Sequence, residues 1–320
     1  KYRATQLSMA ASAGACTGAF VAASLGGGVS SGKLFILNSA RRGISGWLYP
    51  AEYISTGPLC DIVMRDKFMT RQTKSVQRLY VDEPPVADST LILTGNPAHY
   101  LRNVLRADAD YGVLLFNGVD GEWHARITQI NKREVSLTID HRTRPQDSQA
   151  DIWLLVAPVK RARLDYLAQK ATEMGVSRLV PIMTERTQGG SLNADRLRAN
   201  AQEAAEQCGI LNVPDIVPAQ RLDAVLNGWD PARKLIFCDE AAPTGAGLSA
   251  LSEHIDTRAG ALAVLIGPEG GFSESEREAV LGQPATLQLS LGPRVLRTDT
   301  AVVAALTLVQ WAAGDWQSDS

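Results

Sequence analysis

From Asp151 onward the chain alternates unbroken apolar runs with amphipathic segments, and this rhythm constrains its fold more than any other feature. "DIWLLVAPV", "RLVPIMT", "KLIFCDE", "ALAVLIG" and "ATLQLSLG" read as strands. Between them, "ARLDYLAQKATEMGV", "ADRLRANAQEAAEQCG" and "SESEREAVLG" read as helices, and "DTAVVAALTLVQWAAG" is the last helix. Continuous apolar strands separated by helices indicate a parallel sheet covered on both faces. In such sheets ligands bind beyond the carboxyl ends of the strands. The loops after "ALAVLIG" and "LQLSLG" are therefore the places to look for chemistry.

Upstream the pattern differs. "VQRLYV" alternates, "STLILTG" follows a Pro-rich turn, and "YGVLLFNGVDGEWHARITQINKREVSLTI" holds three short strands broken at Asn117-Gly118, Asp120-Gly121 and Asn131-Lys132. Such closely spaced turn signals mark a small β-barrel-like domain. One helix interrupts it, "NPAHYLRNVLR", with Asn96 expected as N-cap, Pro97 at the first helical position, and Leu101, Val104 and Leu105 facing a core. "HRTRPQDSQA" is the linker. A chain of 320 residues has room for about two domains. The expected division is 71–145 for the β domain and 146–320 for the α/β domain.

Residues 1–70 are expected to be an extension, disordered or non-native, with little part in the chemistry. "MAASAGACTGAFVAASLGGG" is too rich in Ala and Gly for a membrane span, and its likeness to a secretory segment is weak. "GGVSSGKL" nearly spells a phosphate loop, but Leu34 stands where a magnesium-ligating Ser or Thr is required.

The formal net charge is −2, which excludes a dominant basic field, so any nucleic acid must be held by local patches. Cys16, Cys60, Cys208 and Cys238 lie far apart without a CxxC pair, and four histidines are scattered. No metal site, no membrane segment and no disulfide framework are expected, which fits a reducing, cytoplasmic compartment.

The first loop is Gly267-Pro268-Glu269-Gly270-Gly271-Phe272, followed by Ser273 and Glu276 in a capping-box pattern. Its glycines allow a sharp turn and a close ligand approach. The spacing is not the dinucleotide fingerprint, and Glu274, Glu276 and Glu278 repel an anion, so an uncharged or cationic group fits better. The second loop, "LGPRVLRTDT", carries Arg294 and Arg297 beside Asp299. Arg297 directly precedes a helix N-terminus, where a cation is unfavourable unless offset. Asp299 reads either as a cap or as a chemical group, and Arg297 either as a solvated charge or as a binding cation.

These two loops, "LIGPEGGF" and about 25 residues later "LGPRVLRTDTA", closely resemble the RsmE family of 16S ribosomal RNA methyltransferases, in the SPOUT superfamily. "HYLRNVLR", "KRARLDYLAQKATEMGV", "PIMTERT" and "EAAEQCG" extend the likeness from Val76 to the C-terminus. The resemblance implies an α/β SPOUT fold with a C-terminal trefoil knot, a preceding PUA-like RNA-binding module, S-adenosyl-L-methionine as cofactor, a homodimer, and N3-methylation of a uridine in the small ribosomal subunit. It implies that Leu265, Gly267, Pro268, Glu269 and Gly270 line one wall of the cofactor pocket. Leu289, Leu291, Gly292, Val295, Leu296, Thr298, Thr300 and Ala301 would line the other.

Uridine N3 must lose its proton before it attacks a methyl group, so a proton acceptor or an anion-stabilising cation is needed. Arg297 is the expected anion-stabilising fork, with Asp299 and Glu269 as further candidate catalytic residues. Arg78, Arg102, Arg106, Lys160, Arg163, Lys170, Arg186 and Arg294 are the expected RNA-binding cations, joined by Arg142, Arg144 and Arg161 near the domain junction. Lys170 also has Glu173 as a possible structural partner. Ile210-Leu211-Asn212 departs from the family, which commonly places an arginine after the glycine, and Met174 replaces a usual Leu. Competing readings are a SPOUT ribose 2′-O-methyltransferase, a non-catalytic RNA-binding ribosome assembly factor, and a nucleotide-triphosphate enzyme built on "GGVSSGKL".

Overall fold

The parallel sheet is present, and its strand order decides where the site lies. The computed structural model describes residues 76–187, 192–247, 249, 251 and 260–316. The expected extension at 1–70 and its "GGVSSGKL" lie outside the described residues.

In chain order the β domain contains β1 (Gln77–Tyr80), β2 (Thr90–Thr94), α1 (Gly95–His99), β3 (Gly112–Phe116), β4 (Glu122–Ile130) and β5 (Glu134–Arg144). Its five strands lie in the order β1-β3-β4-β5-β2, with β1 parallel to β3 and the other pairs antiparallel. Register shifts between β4 and β5 bend the ladder, as bulges do, and curl the sheet around its own core. That core is built from the inward residues of each strand, with Val113, Leu115, Ala125, Ile127, Val135 and Leu137 fully buried.

The short helix departs from expectation. It begins at Gly95 with Thr94 at the cap rather than Asn96, and Tyr100–Val104 continue it as a π-helical turn. The wider turn shifts the side-chain period. Leu101 is buried, but Val104 is 60% exposed instead of facing the core. Arg106 then leaves the turn with φ +50°, a conformation that costs a residue with a Cβ on the order of 1 kcal/mol.

The α/β domain runs β6 (Ile152–Val156), α2 (Arg161–Glu173), β7 (Arg178–Met183), α3 (Ala194–Cys208), β8 (Asp215–Ile216), β9 (Gln220–Arg221), α4 (Leu222–Asn227), β10 (Lys234–Cys238), β11 (Leu262–Ile266), α5 (Glu274–Leu281), β12 (Thr286–Leu289) and α6 (Thr298–Ala313). The strands are parallel in the order β12-β10-β11-β6-β7-β8, with β9 beside β7. Both faces are covered, as the unbroken apolar strands require. Ile152, Leu154, Ile236, Val264 and Leu289 pack under α2, α3 and α6. Leu155, Val180, Phe237, Ala263 and Leu265 pack under α4 and α5.

The two sheets meet at the end of α3. Arg78, a residue expected to bind RNA, is buried there instead. Its Nε donates to Glu122 Oε2 at 2.8 Å, its Nη1 to the Ala205 carbonyl at 2.5 Å, and its Nη2 to the Ile210 carbonyl at 3.0 Å. A helix C-terminus leaves its last carbonyls unpaired and carries partial negative charge, so a buried cation is well placed. Glu206 of α3 answers by accepting the Tyr80 N–H at 2.9 Å. Arg144 donates to the Gly209 carbonyl at 2.8 Å, and Gln146 to Asn212 Oδ1 at 2.6 Å. Phe116, Ala205 and Leu211 add a small apolar cluster. The unusual Ile210-Leu211-Asn212 stretch thus belongs to this junction.

Burial pushes the Glu122 carboxyl up, but hydrogen bonds from Arg78 and Thr143 outweigh it and hold the group below its ordinary 4.5. A depressed carboxyl stabilises the fold above its unfolded value and loses that contribution as pH falls through its folded value. The junction should therefore weaken below the ordinary glutamate range. Arg78→Met should destabilise the chain by about 3–5 kcal/mol, because it strands a buried carboxylate. Denaturant titration of this variant, and of Arg78→Met with Glu122→Gln, should show part of the loss returned in the double variant.

Candidate functional site

Strand β10 lies between β11 and β12, so the loops leaving β11 and β12 stand about two strand spacings apart, roughly 10 Å. They enclose one cavity of about 560 Å³ at the carboxyl edge of the sheet. That volume suits a drug-sized ligand. The two loops singled out in the sequence do meet in space.

One flank of the cavity is apolar. Ile266, Leu289 and Ala301 belong to the core under α6, and Cys238, Leu291 and Leu296 pack against that core. Burial pushes the Cys238 thiol up to about 12, so it lines the wall as a neutral group. Backbone atoms of the glycine-bearing turns complete this flank, which suits an uncharged ring system. The Thr298 hydroxyl donates to the Gly267 carbonyl at 3.3 Å and ties the first turn of α6 to the β11 loop.

The glycines are needed for different reasons. A Cβ on Gly267 would come within 2.6 Å of Cε2 of Phe272, whose ring stands edge-on to Phe237. Gly292 has open space around it but holds φ +102°, which favours glycine. The capping box at Ser273 is present: its hydroxyl accepts the Glu276 N–H at 3.3 Å, and Glu276 Oε2 accepts the Ser273 N–H at 3.0 Å.

Of the residues expected to line the pocket, Gly267, Pro268, Leu289, Leu291, Gly292, Val295, Leu296, Thr298 and Ala301 do so. Leu265 does not, because strand alternation turns its side chain into the core under α5 while Ile266 faces the cavity. Glu269, Gly270 and Thr300 are also outside the wall. Glu269 Oε1 is bound by Arg163 Nη1 at 3.2 Å, and the Gly270 carbonyl accepts from Arg186 Nη1 at 3.0 Å. Thr300 is exposed on α6, its N–H held by Asp299 Oδ1 at 3.1 Å.

Among the expected cations, Arg294 and Arg186 line the cavity. Arg297 is exposed at the cap of α6, between the lining residues Leu296 and Thr298. Lys170 is committed to Glu173 at 2.6 Å and lies over the Tyr166 ring. Its hydrogen bond to Glu173 raises the Lys170 ammonium above its ordinary value. Arg102 donates to Asn103 and to the Asn131 carbonyl, whereas Arg106, Arg142 and Lys160 are exposed. Among the described residues no cluster of His, Cys, Asp and Glu could hold a metal. No helix among them is long and apolar enough to cross a membrane.

A third wall went unpredicted. Asp239, Glu240, Ala241, Ala242 and Thr244 leave β10 and enter the cavity with Glu274 and Arg277 of α5. "CDEAAPTG" has no glycine pattern to mark it. The signal lay in strand order alone.

Residues 146–310 match the family described as an RNA methyltransferase domain, and residues 93–140 match an RNA methyltransferase PUA domain. The chain is 28% identical over 234 residues to the ribosomal RNA small subunit methyltransferase E of Rickettsia conorii, covering 73% of this chain and 94% of that one. A Legionella pneumophila protein solved in complex with the bound cofactor SAM is 30% identical with a TM-score of 0.66. The match covers 75% of this chain and 99% of the Legionella chain. The ribosomal RNA small subunit methyltransferase E of Neisseria gonorrhoeae, solved with S-adenosyl methionine, is 29% identical with a TM-score of 0.66, covering 76% and 100%.

The two glycines should respond differently to substitution. Gly267→Ala should overpack the cavity against Phe272 and cost about 1–3 kcal/mol. Gly292→Ala should cost only the strain of its backbone, about 1–2 kcal/mol. Melting temperatures of the pair, with Phe272→Ala added to each, would check this, since only the Gly267 variant should be relieved.

Proposed function

This chain belongs to the RsmE family of RNA methyltransferases, and we propose that it methylates N3 of a uridine in the 16S rRNA of the small ribosomal subunit, using S-adenosyl-L-methionine. The observation that carries this reading is the single cavity formed where the β10, β11 and β12 loops converge. Its apolar, backbone-lined flank fits a purine, and its carboxylates Glu240 and Glu274 fit a cationic centre. When bound, the cofactor supplies an electrophilic methyl group on a sulfonium. Gly267, Pro268, Leu289, Leu291, Gly292, Leu296 and Ala301 would hold it.

The chain's own residues must then manage the uridine proton. Arg297 and Arg294 stand exposed at the lip and would stabilise the uracil anion as permanently charged forks. Asp299 accepts the Thr300 N–H through Oδ1 and Glu269 accepts from Arg163 through Oε1, so the second oxygen of either carboxylate would take the N3 proton. Arg297 would stabilise the anion that this proton transfer leaves on the uracil. RNA would run across the exposed cations Arg106, Arg142 and Lys160 and the half-buried Arg102, with residues 71–145 as the RNA-gripping module and 146–320 as the catalytic one.

The segment from β11 to α6 would thread as a trefoil knot, and two copies would pair through α6. Supporting the pairing, Trp311 is 60% exposed and Leu308 and Val303 are half-buried on that helix. Acting on ribosomal RNA, the protein would work in the cytoplasm.

Incubation with methyl-labelled cofactor and unmodified small subunits, followed by nuclease digestion and mass spectrometry, tests the reading. N3-methyluridine is expected. A 2′-O-methylated nucleoside would instead identify a ribose methyltransferase, and binding without transfer an assembly factor. Arg297→Ala should leave cofactor affinity within about two-fold by calorimetry while lowering turnover about 10²-fold or more.

A further inference from the structure

The charged flank contains an arginine, Arg277, fixed through its Nε by a buried carboxylate. Asp239 closes β10 with its side chain 4% exposed. Its Oδ2 accepts Arg277 Nε at 2.8 Å and Gln288 Nε2 at 2.6 Å, and its Oδ1 accepts the Ala241 N–H at 2.9 Å. Three donors from three elements fix this carboxylate, leaving it little capacity for a ligand.

Arg277 is gripped by one corner only. Arginines of this chain meet carboxylates in two ways, by one nitrogen, as Arg163 meets Glu269 and Arg198 meets Asp195, or by a full edge. Arg126 reaches Asp140 through Nε and Nη2, and Arg221 reaches Asp223 in the same manner. In Arg277 the Nη1 lies 3.7 Å from Glu274 Oε1, beyond hydrogen-bond range. Among the described residues neither Nη atom makes a hydrogen bond. The side chain is nevertheless nearly three-quarters buried and stands in the cavity wall. A fork held at its Nε, with both Nη atoms outside hydrogen bonds, can meet a further carboxylate bidentately.

We propose that Arg277, positioned by Asp239, receives the α-carboxylate of the methyl donor's amino-acid tail, with Glu240 and Glu274 facing its ammonium. The proposal rests on the reading of the cavity as the S-adenosylmethionine site, and it assigns the tail to the third wall. Glu240 is close to the backbone of Gly271, where a Cβ would collide with its carboxylate, so the acidic partner is seated against the same turn. Asp239 acts through Arg277 and is a positioning residue. Without it the fork would lose its fixed aim.

Calorimetry with two ligands separates this role from mere wall-building. S-adenosylhomocysteine carries the amino-acid tail, whereas 5′-methylthioadenosine keeps the purine, ribose and sulfur without it. Arg277→Leu should weaken S-adenosylhomocysteine by about ten- to a hundred-fold and change methylthioadenosine by less than about two-fold. Arg277→Lys should recover part of the loss, and Asp239→Asn should show a smaller loss confined to the tailed ligand. Equal weakening of both ligands by Arg277→Leu, or no weakening of either, would overturn the proposal. Were Arg277→Leu not to fold, the Lys and Asn variants would carry the same comparison. A wild-type protein that binds neither ligand would instead remove the donor assignment itself.

Discussion

A parallel sheet exposes all its strand carboxyl ends along one edge, and here the order of three of those ends determines everything the site can do. β10 is earlier in the chain than β11 and β12 but lies between them. Two loops separated in sequence thereby leave strand ends about 10 Å apart, close enough to share a ligand. The middle strand contributes the floor. Moving β10 out from between β11 and β12 would separate the apolar and charged flanks. The hydrogen bond from Thr298 to the Gly267 carbonyl then ties α6 to the β11 loop and fixes the two flanks to each other.

Much of the architecture was legible because it is local. Continuous apolar strands cannot be satisfied by a one-sided sheet, and the two buried faces follow directly. The Ser273 capping box and the turns between β3, β4 and β5 are also short-range signals, and each formed where the residues indicated. The two glycine-bearing loops were legible for the same reason, since a sharp turn and a close approach demand glycine at fixed positions.

What could not be read is tertiary in origin. Arg78 sits in an alternating strand like any surface arginine, and only the carbonyls at the end of α3, more than a hundred residues away, draw it inside. Leu265 and Ile266 are equally apolar neighbours, and the pleat alone decides which one meets the cavity. The π-helical turn at Tyr100–Val104 defeats a 3.6-residue period, so Val104 falls on the outside. The acidic wall after β10 is marked by no motif, because its role depends on which strand lies next to which.

The buried junction has a bearing on how nucleic acid would be held. Arg78, Arg144 and Arg163 direct their charge inward or onto carboxylates of this same chain. Each such cation is one fewer to displace condensed ions from a polyanion, and affinity for a phosphate backbone scales steeply with that number. Among the described residues, exposed cations such as Arg106, Arg142, Lys160, Arg294 and Arg297 are left to face a polyanion, and the number that meet phosphate would set how steeply binding falls with salt.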